Sequence, residues 1–169
     1  AVRESLGAAI GAVLGLDVLM ALHARIDGPG QRLGLSGAPP SAPDGTSARL
    51  LTLTGSFLAV EGELAGTPVW WTVDTAGLFP VALTPGADQA LGLADHPWRS
   101  TGPGGPEVTQ VEALRLGALE VERIPVVRGL LDEAFTRAVG APVAGAVGWV
   151  LLGQLVTRFD PEARWLIFE

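Results

Sequence analysis

The residues best suited to chemistry, by their types and their spacing, surround one carboxylate. Asp74 comes directly after the apolar run at residues 69–73 (Val-Trp-Trp-Thr-Val), and the small residues Thr75, Ala76 and Gly77 follow it before a second apolar run begins. This pattern predicts a strand, a tight loop and a second strand, with Asp74 at the bend. Because an unpaired carboxylate is costly at the buried end of a strand, we expect Asp74 either to cap the turn or to take part in chemistry.

The loop at residues 74–77 resembles the Asp-Thr/Ser-Gly-Ala loop of aspartic proteases, in the single-lobe retropepsin-like form and in the two-lobe pepsin-like form. Residues 54–64 resemble the hairpin before that catalytic loop, and residues 83–93 resemble the strand and helical turn after it. The resemblance implies an all-β acid-protease fold, peptide-bond hydrolysis, and neither a cofactor nor a metal. Ala76 departs from the family pattern, since the third loop residue is normally glycine, and this leaves open a lobe that has lost activity.

The implied mechanism requires two aspartates. In this family two carboxylates share one proton: the ionised one activates a water as general base, and the protonated one donates a hydrogen bond to the scissile carbonyl. The resemblance gives Thr75 the role of bracing the pair through its hydroxyl, while Ala76 and Gly77 let two backbones approach. No second Asp-Thr or Asp-Ser followed by glycine occurs in the 169 residues, so the second aspartate is expected outside them.

A glycine-rich stretch at residues 96–106 lies where the family places its flap, a hairpin that closes over the substrate. Gly102, Gly104 and Gly105 suit a mobile hinge, and Trp98 would supply an apolar wall. An ordinary surface loop is an equal alternative.

Two elements are predicted after this stretch. Residues 111–127 predict a β-hairpin that turns at residues 116–118, and residues 130–139 predict a short amphipathic helix.

Two parts of the chain resemble one another at a fixed spacing. With Gly15 placed over Gly148 (148 − 15 = 133), the two copies align without gaps. Each predicts a small apolar strand, a glycine, an amphipathic helix, an Arg-x-Asp strand and a last apolar strand, which indicates duplicated units and resembles the carboxyl-terminal signature of the same family. The matched pairs are Leu19 with Leu152, Leu22 with Leu155, Arg25 with Arg158, Asp27 with Asp160 and Leu33 with Leu166.

The repeat predicts three parts of the chain. Residues 1–35 are the C-terminal part of a first protease-like lobe, residues 36–49 are a linker rich in Pro, Ser and Gly, and residues 50–169 are a complete second lobe. A companion N-terminal polypeptide would supply the second aspartate, or alternatively a homodimer mate would do so. We expect residues 1–35 to fold like residues 134–168 and to expose apolar surface that the companion covers.

The composition of the chain supports the all-β class and argues against several other functions. Hydrophobic residues make up 48% of the chain, and its 23 glycines and 13 prolines favour a turn-rich all-β domain. A formal charge of −7 without a basic stripe argues against nucleic acid. The chain has no cysteine, and its two histidines are far apart, so a zinc site is not expected.

Asp17 interrupts the N-terminal apolar run, and no run reaches the ~18 residues that a membrane helix needs. The compartment stays open, with the periplasm and secretion among the options.

These observations predict an aspartic endopeptidase that acts on a peptide or protein substrate through Asp74 and a second aspartate. The alternative is a catalytically inactive module that binds peptides on the same fold.

Overall fold

The structure is a computed structural model, which describes residues 14–38, 46–53 and 57–169. The predictions for residues 1–13, for residues 39–45 of the linker and for residues 54–56 of the hairpin lie outside the described residues. Within the described ranges, no helix is long and apolar enough to cross a membrane.

Strands dominate the described chain, and its helices are short. The strands are β1 (Arg25–Asp27), β2 (Arg32–Gly34), β3 (Thr46–Leu53), β4 (Phe57–Leu64), β5 (Thr67–Asp74), β6 (Val81–Leu83), β7 (Arg99–Ser100), β8 (Glu107–Leu116), β9 (Leu119–Arg128), β10 (Gly145–Gly148), β11 (Val156–Asp160) and β12 (Trp165–Phe168). The helices are α1 (Leu16–Ala21), α2 (Ala87–Ala90), α3 (Glu133–Val139) and α4 (Trp149–Leu152). The predicted all-β class is confirmed.

Part of the sheet closes into a barrel. Strands β4, β5, β10, β6, β9 and β8 are neighbours in that order, and β8 pairs back onto β4, with Leu64 opposite Leu114. Strand β10 lies parallel to β5 and antiparallel to β6, so it crosses between two strands that are adjacent in sequence. Closure removes free edges, and inward-facing side chains fill the interior. Leu64, Trp71 and Leu114 are fully buried there.

Several local predictions agree with the described elements. The hairpin predicted at residues 111–127 is formed by β8 and β9, and its turn contains Gly117 at φ +59°. A side chain at Gly117 would overlap the carbonyl oxygen of Ser47, so glycine is needed there for the approach as well as for the turn. The predicted helix at residues 130–139 begins at Glu133, because the Asp132 carboxylate accepts a hydrogen bond of 2.9 Å from the Phe135 N–H.

A second group of strands extends this sheet in the order β2, β1, β11, β12 and β3. All four pairings between them are antiparallel, and β3 continues into the barrel through a further antiparallel pairing with β4. Strand β3 begins at Thr46, so residues 46–49 of the predicted linker belong to a strand. They form a strand because they pair with the distant strand β12, with Arg49 opposite Trp165.

Candidate functional site

Asp74 is the last residue of β5 and lies opposite Gly148 of β10 in the parallel register. The Ala76 N–H donates to Asp74 Oδ1 at 3.0 Å, and the Gly77 N–H donates to the Asp74 carbonyl at 3.3 Å. Among the described residues, Oδ2 has no hydrogen-bond partner. One carboxylate oxygen therefore holds the loop in shape, and the other is available for a further interaction.

Strand β10 supports the Asp74 loop from behind. The N–H groups of Gly148 and Trp149 donate to the carbonyls of Pro80 (2.9 Å) and Gly77 (2.7 Å). A side chain at Gly148 would overlap the Phe79 carbonyl and would lie 2.8 Å from the Gly77 oxygen. Glycine at 148 thus permits the close backbone approach that holds the loop.

The residues of the Asp74 loop differ in burial: glycine occupies the crowded position, and larger side chains occupy the exposed ones. Gly77 is buried, and a Cβ there would lie 2.6 Å from the Phe79 ring and 2.8 Å from Asp74 Oδ2. Thr75 and Ala76 are exposed, and Leu78 is 76% exposed. Leu78 thus places an exposed apolar side chain directly beside the carboxylate loop.

A cavity of about 400 Å³ opens beside the carboxylate. Asp74 and Thr75 supply its polar wall, and the rest is mainly apolar. The other lining residues are Leu14, Leu19, Phe57, Leu58, Thr72, Val73, Phe135 and Phe159. Phe57 and Phe135 contact each other edge to face, with ring centroids 5.9 Å apart and planes at 80°.

Sequence analysis did not single out Phe57 and Phe135 as site residues. Phe57 begins β4 and Phe135 lies in α3, so only the tertiary fold brings them into contact at the cavity that Asp74 borders. No motif or spacing in the sequence indicates that contact.

Of the predicted flap residues, Gly102, Gly104 and Gly105 lie in the connection between β7 and β8, and Trp98 directly precedes β7. The turn of that connection is held by the Thr101 N–H, which donates to the Pro106 carbonyl at 3.0 Å, and by the Gly105 N–H, which donates to Gly102 at 3.0 Å. Gly104 has φ +68°. Gly104 and Gly105 line another cavity, of about 490 Å³, and neither they nor Gly102 and Trp98 line the cavity beside Asp74. Their role as a flap remains a prediction.

Trp98 is held at the base of this hairpin. Its indole N–H donates to the Leu93 carbonyl at 2.9 Å, and the Arg128 guanidinium lies 4.4 Å from the ring centroid. Arg128 also binds Glu107 at 2.7 Å and Asp88 at 2.6 Å. The hydrogen bond to Glu107, with that to Asp88, raises the pKa of Arg128 against the opposing effect of burial.

The described residues contain no cluster of three or more His, Cys, Asp or Glu side chains that would hold a metal ion. The chemistry available at Asp74 is that of a carboxylate: proton transfer and hydrogen bonding.

Comparisons with known proteins bear on the fold. No family model matches the chain, and no curated protein matches it. Among solved structures, the chain is similar to a retropepsin-like aspartic protease from Rickettsia conorii, with a TM-score of 0.52 and 17% sequence identity. The match covers 78% of this chain and 96% of that one. At this identity the likeness is one of fold, and the chain therefore has the retropepsin-like, all-β acid-protease fold.

Proposed function

We propose that this chain is an aspartic endopeptidase, in which Asp74 and a second aspartate outside residues 1–169 activate water to cleave peptide bonds. The observation that supports this most directly is the placement of Asp74. It ends a barrel strand, has one oxygen fixed by the Ala76 N–H and the other without a partner among the described residues, and borders a largely apolar cavity. The fold that holds it is shared with a retropepsin-like aspartic protease.

The proposed chemistry follows from two carboxylates that share a proton. The ionised one removes a proton from water as the water oxygen attacks the scissile carbonyl carbon, and the protonated one donates to the carbonyl oxygen. Collapse of the tetrahedral intermediate then passes a proton to the leaving amine nitrogen. The exposed Thr75 hydroxyl would brace the partner loop, and the exposed Ala76 would face it.

The cavity beside Asp74 suggests the class of substrate. The side of its apolar wall that Phe57 and Phe135 form, in contact with each other, would accept a large apolar side chain next to the scissile bond. Peptides with leucine or phenylalanine at that position are therefore the proposed substrates, in preference to acidic ones.

A peptide-binding module without catalysis is the second candidate. Ala76 favours it, because a methyl group stands where the family has glycine and two loops approach each other. Such a module would use the same apolar cavity but would not cut its ligand.

The test uses the full-length gene product and an unfolded protein substrate, with and without an inhibitor of aspartic peptidases. Asp74→Asn keeps the volume of the side chain and removes its charge, so cleavage should fall by about 10²-fold or more. The melting temperature and peptide affinity should stay close to those of the wild type. Asp95→Asn is the matched control, since Asp95 is exposed and does not line the cavity.

The pH profile of cleavage should be bell-shaped, because the doubly protonated and doubly ionised pairs are both inactive. Normal cleavage by the Asp74→Asn protein would refute the proposed mechanism. A wild-type protein that binds the peptide but does not cut it at any pH would select the binding module instead.

A further inference from the structure

We infer that the lobe facing Asp74 precedes residue 14 in the same polypeptide and ends in residues 14–34, and that it is not a second copy of the lobe formed by residues 46–169. The inference rests on the proposed function for its need of a second aspartate. The part of the inference that concerns strand pairing and the position of the facing lobe does not depend on activity, and it is tested separately.

The segment 14–34 folds like the segment 147–167. Helix α1 begins after Gly15 and helix α4 after Gly148, and both glycines are extended, with ψ of 164° and 178°. Strand β2 (Arg32–Gly34) corresponds residue by residue to the first three positions of β12 (Trp165–Phe168) at the spacing of 133.

The turns between the paired strands also agree in detail. Asp27 Oδ1 accepts the Gly30 N–H at 2.8 Å, and Asp160 Oδ1 accepts the Ala163 N–H at 2.9 Å. The residue after each of these donors has a positive φ, which is unusual for side chains other than glycine. These residues are Gln31 at φ 51° and Arg164 at φ 60°. Shared local geometry at this level supports two copies of one structural unit.

The two copies meet across an axis. Strands β1 and β11 are antiparallel, and their register places Arg25 directly opposite Arg158, its own counterpart in the repeat. Antiparallel strands in which equivalent residues face each other are related by a twofold axis. The carboxylate of Glu169 lies between the two guanidinium groups, 3.2 Å from Arg25 and 2.7 Å from Arg158.

This pairing occupies the position that a second copy would need. Strand β11 has β12 on one side and β1 on the other, so both of its edges are hydrogen-bonded within the chain. A homodimer built around the same axis would require β11 to pair with β11 of the second copy. That arrangement would displace β1.

The exposed leucines of the first copy indicate what covers them. Leu14 is 45% exposed, whereas its counterpart Val147 is fully buried between β5 and β6. Leu33 is 46% exposed, whereas its counterpart Leu166 is fully buried in β12, which pairs with β3. The occupant therefore supplies counterparts of β3, β5 and β6, and its aspartate would lie opposite Gly15 as Asp74 lies opposite Gly148.

Engineered cysteines can test which strand lies against β11. The backbone bonds from Phe159 N–H to Ala24 and from Gly28 N–H to Leu155 alternate with the intervening pairs, so Arg25 and Arg158 form a non-hydrogen-bonded pair. The Cα atoms of such a pair are about 4.5 Å apart, within the range of about 4.4–6.8 Å that a disulfide spans. Residues 1–169 contain no cysteine, and any cysteine elsewhere in the gene product is replaced by serine.

Arg25→Cys/Arg158→Cys should form a disulfide within one chain, with the mass of a monomer and no free thiol. Arg158→Cys alone should stay a monomer with one free thiol. In a homodimer around the same axis, residue 158 would face its own copy, and this single variant would become a covalent dimer. Val156→Cys is the matched control, because residue 156 would then face residue 160 and could not cross-link.

The measured quantity is covalent dimer in Arg158→Cys above that in Val156→Cys, together with the free thiols of the double variant. A several-fold excess of dimer, or a folded double variant that keeps both thiols, overturns the inference. Asp27→Cys/Val156→Cys uses the next pair of the same type and replaces the first pair if that protein fails to fold. Because no readout depends on cleavage, a failed peptidase assay would leave this result standing, and the reverse also holds.

Discussion

At the level of the residue, the two oxygens of Asp74 have different roles. Oδ1 accepts the Ala76 N–H and thereby caps the turn, whereas Oδ2 has no partner in the part of the chain that the structure describes. Turn capping and acid–base chemistry, which the sequence left as alternatives, are therefore compatible. The hydrogen bond from the Ala76 N–H restrains the carboxylate through Oδ1, and Oδ2 stays available for proton transfer.

Ala76→Gly should preserve or raise the rate of cleavage. The substitution keeps the backbone N–H that binds Asp74 and removes a methyl group that is exposed on the loop surface. Ala76→Val is the opposing variant, and we expect it to lower the rate because it adds bulk where the partner loop would approach. Rates for the three proteins are compared on one apolar peptide. A tenfold loss with glycine would mean that the methyl group supports the site.

Gly148→Ala should destabilise the protein and reduce cleavage. A Cβ at residue 148 would meet the Phe79 carbonyl, which cannot move without its strand, so a cost of about 1–3 kcal/mol is expected. Gly37→Ala is the control, since a Cβ there meets nothing within 4 Å. Urea unfolding of both variants gives the comparison. Equal stability of the two would show that β10 yields to the added carbon.

At the level of the element, the β7–β8 hairpin, which is predicted to be the flap, is held at its base and open at its tip. Arg128 at the end of β9 binds Glu107 of β8 and Asp88 of α2, and it stacks on Trp98. A Cβ at Gly102 or Gly104 would meet nothing within 4 Å. A fixed base and an unencumbered tip suit a hairpin that moves as a unit, as the predicted flap role requires.

The β1–β2 hairpin should lose stability in acid through Asp27. The hydrogen bond from the Gly30 N–H, with help from Arg25, lowers the pKa of Asp27 below its ordinary value of 3.8. The folded state therefore favours the ionised carboxylate. The stabilisation is present above pH 3.8 and is lost as the pH falls through the lower folded pKa.

Asp27→Asn should remove this dependence, since the amide oxygen still accepts the Gly30 N–H but does not titrate. Urea midpoints are measured from about pH 6 to pH 2.5, which spans the transition. Wild type should be the more stable protein at the upper end and should approach the variant at the lower end. Parallel curves would contradict the role assigned to Asp27.

At the level of the whole molecule, local patterns in the sequence predicted individual elements, whereas the tertiary contacts between those elements could not be predicted. The Asp74 loop, the β8–β9 hairpin and helix α3 follow from alternation, small residues and a capping aspartate. The closure of β8 onto β4 could not be read in this way, because no short-range pattern specifies which distant strands pair. The start of β3 at Thr46 has the same origin: a segment rich in turn-forming residues ends where β12 offers a partner.

The candidate site likewise contains residues that the sequence predicted and residues that only the tertiary fold reveals. Asp74, Thr75, Ala76 and Gly77 are contiguous and were predictable as a loop. Phe57 and Phe135 come from two distant elements, and only the fold brings them to the cavity. Trp98 was predicted as an apolar wall, but its indole N–H is bonded to Leu93 at the hairpin base, a contact that composition does not reveal.

The order of synthesis gives the support behind Asp74 a further meaning. Ribosomes make β5 and its loop long before β10, and β10 must then be inserted between β5 and β6. Pairings between segments so distant in sequence form late and slowly. A nascent chain that has exposed Asp74 but has not yet released Gly148 from the ribosome has no backing for the loop. Under the proposed function, the Asp74 loop would therefore lack the support that catalysis needs until residue 148 has left the ribosome.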